Sequence, residues 1–193
     1  MTIKRFAPHA LLATCAVGLS IAAAPPSTAS GGLAFTVTSS AFAQGGTIPT
    51  VHECTSGDSD PRKKNESPPL AWSGAPAGAQ SYALVMRDLD NRNLIHWVIY
   101  DIPVGATALP QNVQHVYRPP VPAGSRQVYY RGSASLYGYQ GPCSPSTVNT
   151  YEFVVHALNR ATLSELTSAS STQTAARTIT NASLGSARIT GES

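Results

Sequence analysis

The chain has 193 residues, 13 of them Lys or Arg and 10 Asp or Glu, for a formal net charge of +3 at neutral pH. With only 12% of residues charged and one short run of like charge, Arg62-Lys63-Lys64, a nucleic-acid-binding or polybasic membrane-docking surface is excluded as an organising feature. The length suits one domain with a sizeable core.

Residues 1–29 read as a secretory leader. Lys4 and Arg5 give a positive start, "ALLATCAVGLSIAAA" (10–24) is an apolar core too short for a mature membrane span, and Ser27-x-Ala29 is a small-residue cleavage pattern. Cleavage after Ala29 leaves residues 30–193 as the mature domain, secreted or periplasmic, with a net charge near +1. No later apolar run is long enough to cross a bilayer. The leader also removes Cys15, so Cys54 and Cys143 remain. In an oxidising compartment that pair is expected to form a disulfide closing a loop of about 90 residues, with a chain-entropy ceiling of about 4 to 5 kcal/mol. Two separate thiols are the alternative.

Strand signals dominate the mature domain. "YALVM" (82–86) is a continuous apolar run suited to a strand buried on both faces, and "HWVIYDI" (96–102) and "YEFVVHAL" (151–158) are rich in β-branched and aromatic residues. Pro/Gly stretches at 67–70, 73–80, 117–124 and 137–145 punctuate them. Only the tail changes period: 164–184 has helical spacing, with Ala175, Ala176, Ile179 and Ala182 as a weak apolar stripe. The expected fold is mainly β, an antiparallel β-sandwich with short helices at the C-terminus.

The chemistry concentrates in "RDLDNRNLIHWVIYDIP" (87–103), where Asp88 and Asp90 precede His96 across a short loop. Two carboxylates near an imidazole suit a metal site, an acid/base pair, a ligand pocket, or turn capping. His156 sits within a strand and reads as packing; His115, in a polar loop, reads as solvated. His52-x-Cys54 with Cys143 lacks the spacing of a standard zinc site, so no metal is expected. Trp72 and Trp97 read as core or wall aromatics. The prolines at 68, 69 and 142 read as rim residues in which a cis bond could sit.

Five ordered blocks, "FTVTSSAFAQGGTIP" with "HECTSG", "NESPPLAWSGAPAGAQSYALVMRDLD", "HWVIYDIP", "YQGPCSP" and "YEFVVHALN", resemble the phosphatidylethanolamine-binding protein family in its bacterial, kinase-inhibitor-like branch. The resemblance implies a large central antiparallel sheet, a smaller second sheet and C-terminal helices. It also implies a small anion pocket lined by Asp88, Asp90, His96, Tyr139, Gly141, Pro142 and Tyr151, with Asn149 standing where the family has a second histidine. Leu89 replaces the proline between the two aspartates, and Ser144 replaces another in "GPCSP". Asparagine cannot carry the charge that histidine can, so weaker anion binding with less gain from acid is expected.

A nearby aspartate is expected to raise the pKa of His96 and orient its ring, leaving the other nitrogen for a phosphate; an aspartate could also accept from the ammonium end of a zwitterion. The leading function is therefore a secreted binding protein without turnover or cofactor, for small phosphorylated or zwitterionic groups. An inhibitory or signalling role toward an unidentified protein partner accompanies it. The alternatives are a hydrolase or phosphotransferase using Asp90 and His96, and a protease or kinase inhibitor acting through surface loops. No Gly-x-Ser-x-Gly elbow or P-loop supports the enzyme reading.

Overall fold

The computed structural model describes residues 1–2, 33–55, 59–130, 136–144 and 146–193, so the expected leader lies almost wholly outside the described residues. The order is β1 (Thr36–Thr38), β2 (Gly46–Thr47), a 3-10 turn (Thr50–His52), β3 (Leu70–Ser73), β4 (Ser81–Asp88), β5 (Leu94–Pro103), β6 (Ala108–Leu109), β7 (Arg126–Gln127), β8 (Thr150–Leu158), α1 (Thr172–Ala182) and β9 (Ser183–Glu192). The three strands expected from the sequence are β4, β5 and β8, adjacent at the centre of a six-stranded sheet ordered β2-β9-β8-β4-β5-β7. Strands β1, β3 and β6 form a separate three-stranded sheet.

The central strands are apolar on both sides because both sides are covered. On one side Tyr82, Leu84, Met86, Trp97, Ile99, Phe153 and Val155 share a core with Val37, Leu70, Trp72 and Leu109 of the small sheet. On the other, Ala83, Val85, Val98, Tyr100 and Leu158 pack against Leu163, Leu166 and the Ala175, Ile179 and Ala182 stripe of α1. Each fully buried large side chain contributes about 1.5 to 3 kcal/mol. Trp72 and Trp97 are both core residues, 5% and 0% exposed.

Three expectations need correction. The large sheet is mixed rather than purely antiparallel, since β2 pairs in parallel with β9 through Gly46–Gly191 and Thr47–Glu192. Residues 164–184 give one helix, which starts where the Ser171 hydroxyl accepts from the Thr174 N–H at 3.1 Å and stops at Ala182. The chain then becomes β9, a ten-residue strand burying Ala187, Ile189 and Gly191 at period two. Only one of those three is a strong strand former, so the signal is weak in the sequence. The cis peptide is Val121–Pro122, not a bond at 68, 69 or 142.

Strand β5 carries two bulges. Trp97 pairs with Met86 and Ile95 with Arg87, so His96 has no partner on β4; Ile102 pairs with Tyr82 and Ile99 with Leu84, so Tyr100 and Asp101 together face Ala83. Each extra residue switches which face the following side chains occupy. Ile95 belongs to the α1-side core but Trp97 to the other, and Tyr100 to the α1 side but Ile102 to the other. Asp101 takes a left-handed conformation at φ 55° and spends its carboxylate on the Leu163 N–H at 2.8 Å and on Arg126.

Gln127, 0% exposed, ties β7 to strand β5 and to the loop around residues 114–116. Its Oε1 accepts from the Trp97 indole at 2.7 Å, and its Nε2 donates to the carbonyls of Gln114 at 2.7 Å and Val116 at 2.9 Å. Gly138, at φ 87°, is required beside it because a Cβ there would overlap the Gln127 amide. Gln127→Leu leaves the buried Trp97 indole N–H unpaired and removes the amide from the Gln114 and Val116 carbonyls, and is expected to cost about 2 to 3 kcal/mol. Urea denaturation measures this, and a loss below about 1 kcal/mol contradicts it.

Candidate functional site

Strand order sets the site. Because β4 lies between β8 and β5, Asp88 at its end is opposite Tyr151 on β8 and Leu94 on β5. The bulge then re-aims His96 next to them. Asp88, His96, Asn149 and Tyr151 are 2%, 3%, 8% and 0% exposed, so the cluster is buried rather than spread over a rim.

Hydrogen bonds fix each member. Asp88 Oδ1 accepts from the N–H groups of Asp90 (3.0 Å) and Asn91 (3.1 Å), and Oδ2 accepts from the Asn149 amide at 2.8 Å. The Asn149 carbonyl oxygen in turn accepts from Thr147 Oγ1 at 2.9 Å. His96 Nδ1 lies 3.0 Å from the Gln140 carbonyl; a carbonyl only accepts, so Nδ1 carries the proton. The His96 Nε2 and the Tyr151 hydroxyl are both buried with no hydrogen-bond partner, and the two rings meet edge to face at 5.3 Å.

The other expected residues are placed differently. Asp90 is exposed and caps the start of β8, accepting from the Thr150 N–H at 2.6 Å. Tyr139 packs on Trp97 at 5.5 Å and donates its hydroxyl proton to the His52 carbonyl at 2.7 Å, so its polar end is committed elsewhere. The Gly141 N–H donates to Asn65 Oδ1 at 2.7 Å, and the Pro142 carbonyl accepts from the Cys54 N–H at 2.9 Å. A side chain at 141 would collide with the backbone of residues 52–54. Cys54 and Cys143 form the disulfide, Cα atoms 5.3 Å apart. Segment 139–143 is thus zipped to 52–54 on one side and bound to His96 on the other.

Three neighbours escaped the sequence reading. Tyr130 tilts against His96 at 5.7 Å, and burial, reinforced by Asp88, raises the pKa of its phenol. It also lines a cavity of about 290 Å³ with residues 169–173. Asn65, at φ 54°, holds Gly141, and Gln140 acts through its backbone. Tyr130 lies in none of the ordered sequence blocks. Asn65 and Gln140 lie inside two of them, but a turn residue and a backbone acceptor leave no mark of their role on residue type. His115 is half-buried, not merely solvated.

The charge of His96 also departs from expectation. Burial lowers its pKa below the ordinary 6.5, outweighing the Gln140 carbonyl, the Asp88 carboxylate and the Gly141 backbone, which favour the imidazolium. Burial likewise pushes the Tyr151 phenol up to about 12, with Asp88 adding to the shift and the Ser144 side chain and Cys143 backbone opposing it. The site is a neutral imidazole beside a neutral phenol.

The family model described as "Phosphatidylethanolamine-binding protein" matches residues 38–193. A UPF0098 protein of Methanothermobacter thermautotrophicus is 36% identical over 153 residues, covering 78% of this chain and 93% of that one. LppC of Mycobacterium tuberculosis, which bears a lipoprotein's name, is 30% identical over 158 residues, covering 81% of this chain and 70% of its own. The crystal structure of Escherichia coli YbcL, described as a member of the mammalian PEBP family, superposes with a TM-score of 0.71 at 27% identity, over 82% of this chain and 96% of that one.

His52, His96, His115 and His156 are all held below 6.5 mainly by burial, and His156, with Arg87 also opposing its charge, falls to about 4. Such a group binds its proton more readily when unfolded. Its contribution to folding is therefore complete above about pH 6.5 and is lost as pH falls toward the folded value. For His156 the window runs from 6.5 to about 4 and is worth at most about 3 kcal/mol. Urea midpoints at pH 7 and pH 4.5 should fall more steeply for the wild type than for His156→Leu; parallel losses would contradict this assignment.

Proposed function

The chain belongs to the phosphatidylethanolamine-binding protein family, and on that premise we propose that it is an exported binding protein without turnover. Its ligand is a small phosphate-like or phospho-zwitterionic group held among Asp88, His96, Asn149 and Tyr151. One observation carries this reading: two polar atoms, His96 Nε2 and the Tyr151 hydroxyl, are buried without partners on rings whose centroids lie 5.3 Å apart. Leaving such atoms unsatisfied costs about 1 to 3 kcal/mol each, a cost that a ligand pairing with both would remove.

The surroundings fit a small head group. Asn149 offers an oriented amide, and Asp88 supplies a carboxylate toward the ammonium end of a zwitterion. The segment carrying Tyr139, Gly141 and Pro142 meets His96 through the Gln140 carbonyl, and Asp90 braces the turn that presents Asp88. Against turnover, Asp90 is spent on the Thr150 N–H, and the Cys143 sulfur is bonded to Cys54. Export beyond the cytoplasmic membrane is supported by the leader-like residues 1–29 and by the lipoprotein name of the mycobacterial relative.

Calorimetric titration with phosphoethanolamine tests the site. The wild type should bind it, and His96→Ala should lose at least ten-fold in affinity, with no product detected by ³¹P NMR. Phosphate bound equally by wild type and His96→Ala would overturn the reading, as would steady conversion of the ligand. Asn149→His adds a group that can charge beside Asp88. Its phosphate affinity should exceed the wild type's at pH 5.5 and match it at pH 8; identical affinities for both proteins at both pH values would refute the role given to Asn149.

A further inference from the structure

The hydrogen bond that orients His96 also decides what its free nitrogen can do. Nδ1 faces the Gln140 carbonyl at 3.0 Å and must hold a proton to bond with it. A neutral imidazole has only one N–H, so the buried Nε2 presents a bare lone pair and is a hydrogen-bond acceptor. The Tyr151 ring meets the imidazole edge to face at 5.3 Å, and its hydroxyl, also buried without a partner, can donate. The charged and titratable groups around the ring are Asp88 on β4, Tyr151 on β8 and Tyr130 after β7, among the described residues. None of these is a cation, and the Asp88 carboxylate disfavours added negative charge.

We infer that the site selects a phosphate monoanion that still carries a P–OH group, a phosphomonoester or free dihydrogen phosphate, over a phosphodiester. This rests on the anion-site reading and sharpens it. The P–OH donates to His96 Nε2, and a P–O⁻ oxygen accepts from the Tyr151 hydroxyl. No proton is transferred: it stays on the ligand oxygen, and the imidazole stays neutral. A phosphodiester, the form found in an intact phospholipid, has no O–H on phosphorus. It meets the lone pair of Nε2 with another lone pair, and it binds only if His96 first takes up a proton, which its buried surroundings oppose.

The two sources of phosphate chemistry separate in one experiment. Phosphoethanolamine (a monoester) and glycerophosphoethanolamine (a diester) are titrated at pH 6 into the purified protein carrying ¹⁵N-labelled histidine. The diester should bind at least about ten-fold more weakly, as expected for the loss of one charge-assisted hydrogen bond. In the monoester complex the Nε2 resonance should keep its lone-pair position, with the N–H on Nδ1. Equal or tighter diester binding overturns the proposal, and so does an N–H on Nε2 in the monoester complex. Failure of both ligands to bind, or binding unchanged in His96→Ala, overturns the anion-site reading itself. Tyr151→Phe, which removes one oxygen and keeps the ring, should weaken the monoester about ten-fold, and unchanged affinity counts against the proposed geometry.

Discussion

The hydrogen bond from His96 to the Gln140 carbonyl joins the central sheet to a segment with no regular structure of its own. Its reach extends further because Gln140 N–H donates back to the His96 carbonyl at 3.1 Å, so the two residues clasp each other. Beyond Gln140, segment 139–143 is held by the Tyr139 hydroxyl on His52, by Asn65 on Gly141, and by the disulfide to Cys54. The position of one imidazole therefore depends on contacts spread from residue 52 to residue 143. Those same contacts fix which nitrogen is bare.

Electrostatics at this site is a contest between burial and charge. Asp88 sits close enough to favour a charged histidine, but its carboxylate already serves the Asp90 and Asn91 N–H groups and the Asn149 amide. A carboxylate bonded on both oxygens is a weaker pull on a neighbour than a bare one, and the ring is 3% exposed. An aspartate near a histidine in sequence is thus a poor guide to charge: it says that the groups are close, not how dry they are.

The central strands were legible because long runs of Tyr, Val, Ile and Leu suit a sheet covered on both sides, and β4, β5 and β8 are so covered. The stripe of α1 was legible for the same reason. Strand β9 was not, since Ala187 and Gly191 flank its lone large buried residue, Ile189, and cannot stand out from a helical pattern. Asp88, His96 and Tyr151 could be grouped from the ordered motifs, and the structure brings them together at one end of the central strands. The motifs could not say that the Asp90 carboxylate caps β8 or that the Tyr139 hydroxyl bonds His52. Direction depends on the bulge at His96 and on backbone acceptors, and residue type does not encode either.

The two bulges give β5 more residues than its partner needs to span the same distance. Excising His96 or Asp101 would let the strand run straight beside β4, with the sheet closing over the gap and the cores on both sides keeping their occupants. Excising Val98, between them, would instead exchange the inward and outward residues of half the strand and set Trp97 or Ile99 against the wrong layer. Length variation in this strand therefore preserves the facing of both cores only at the two places where the chain departs from it, at the cost of the bonds that His96 and Asp101 make. One of those places carries the imidazole, so a shortened variant could keep its architecture while losing the group that gives that end of the sheet its chemistry.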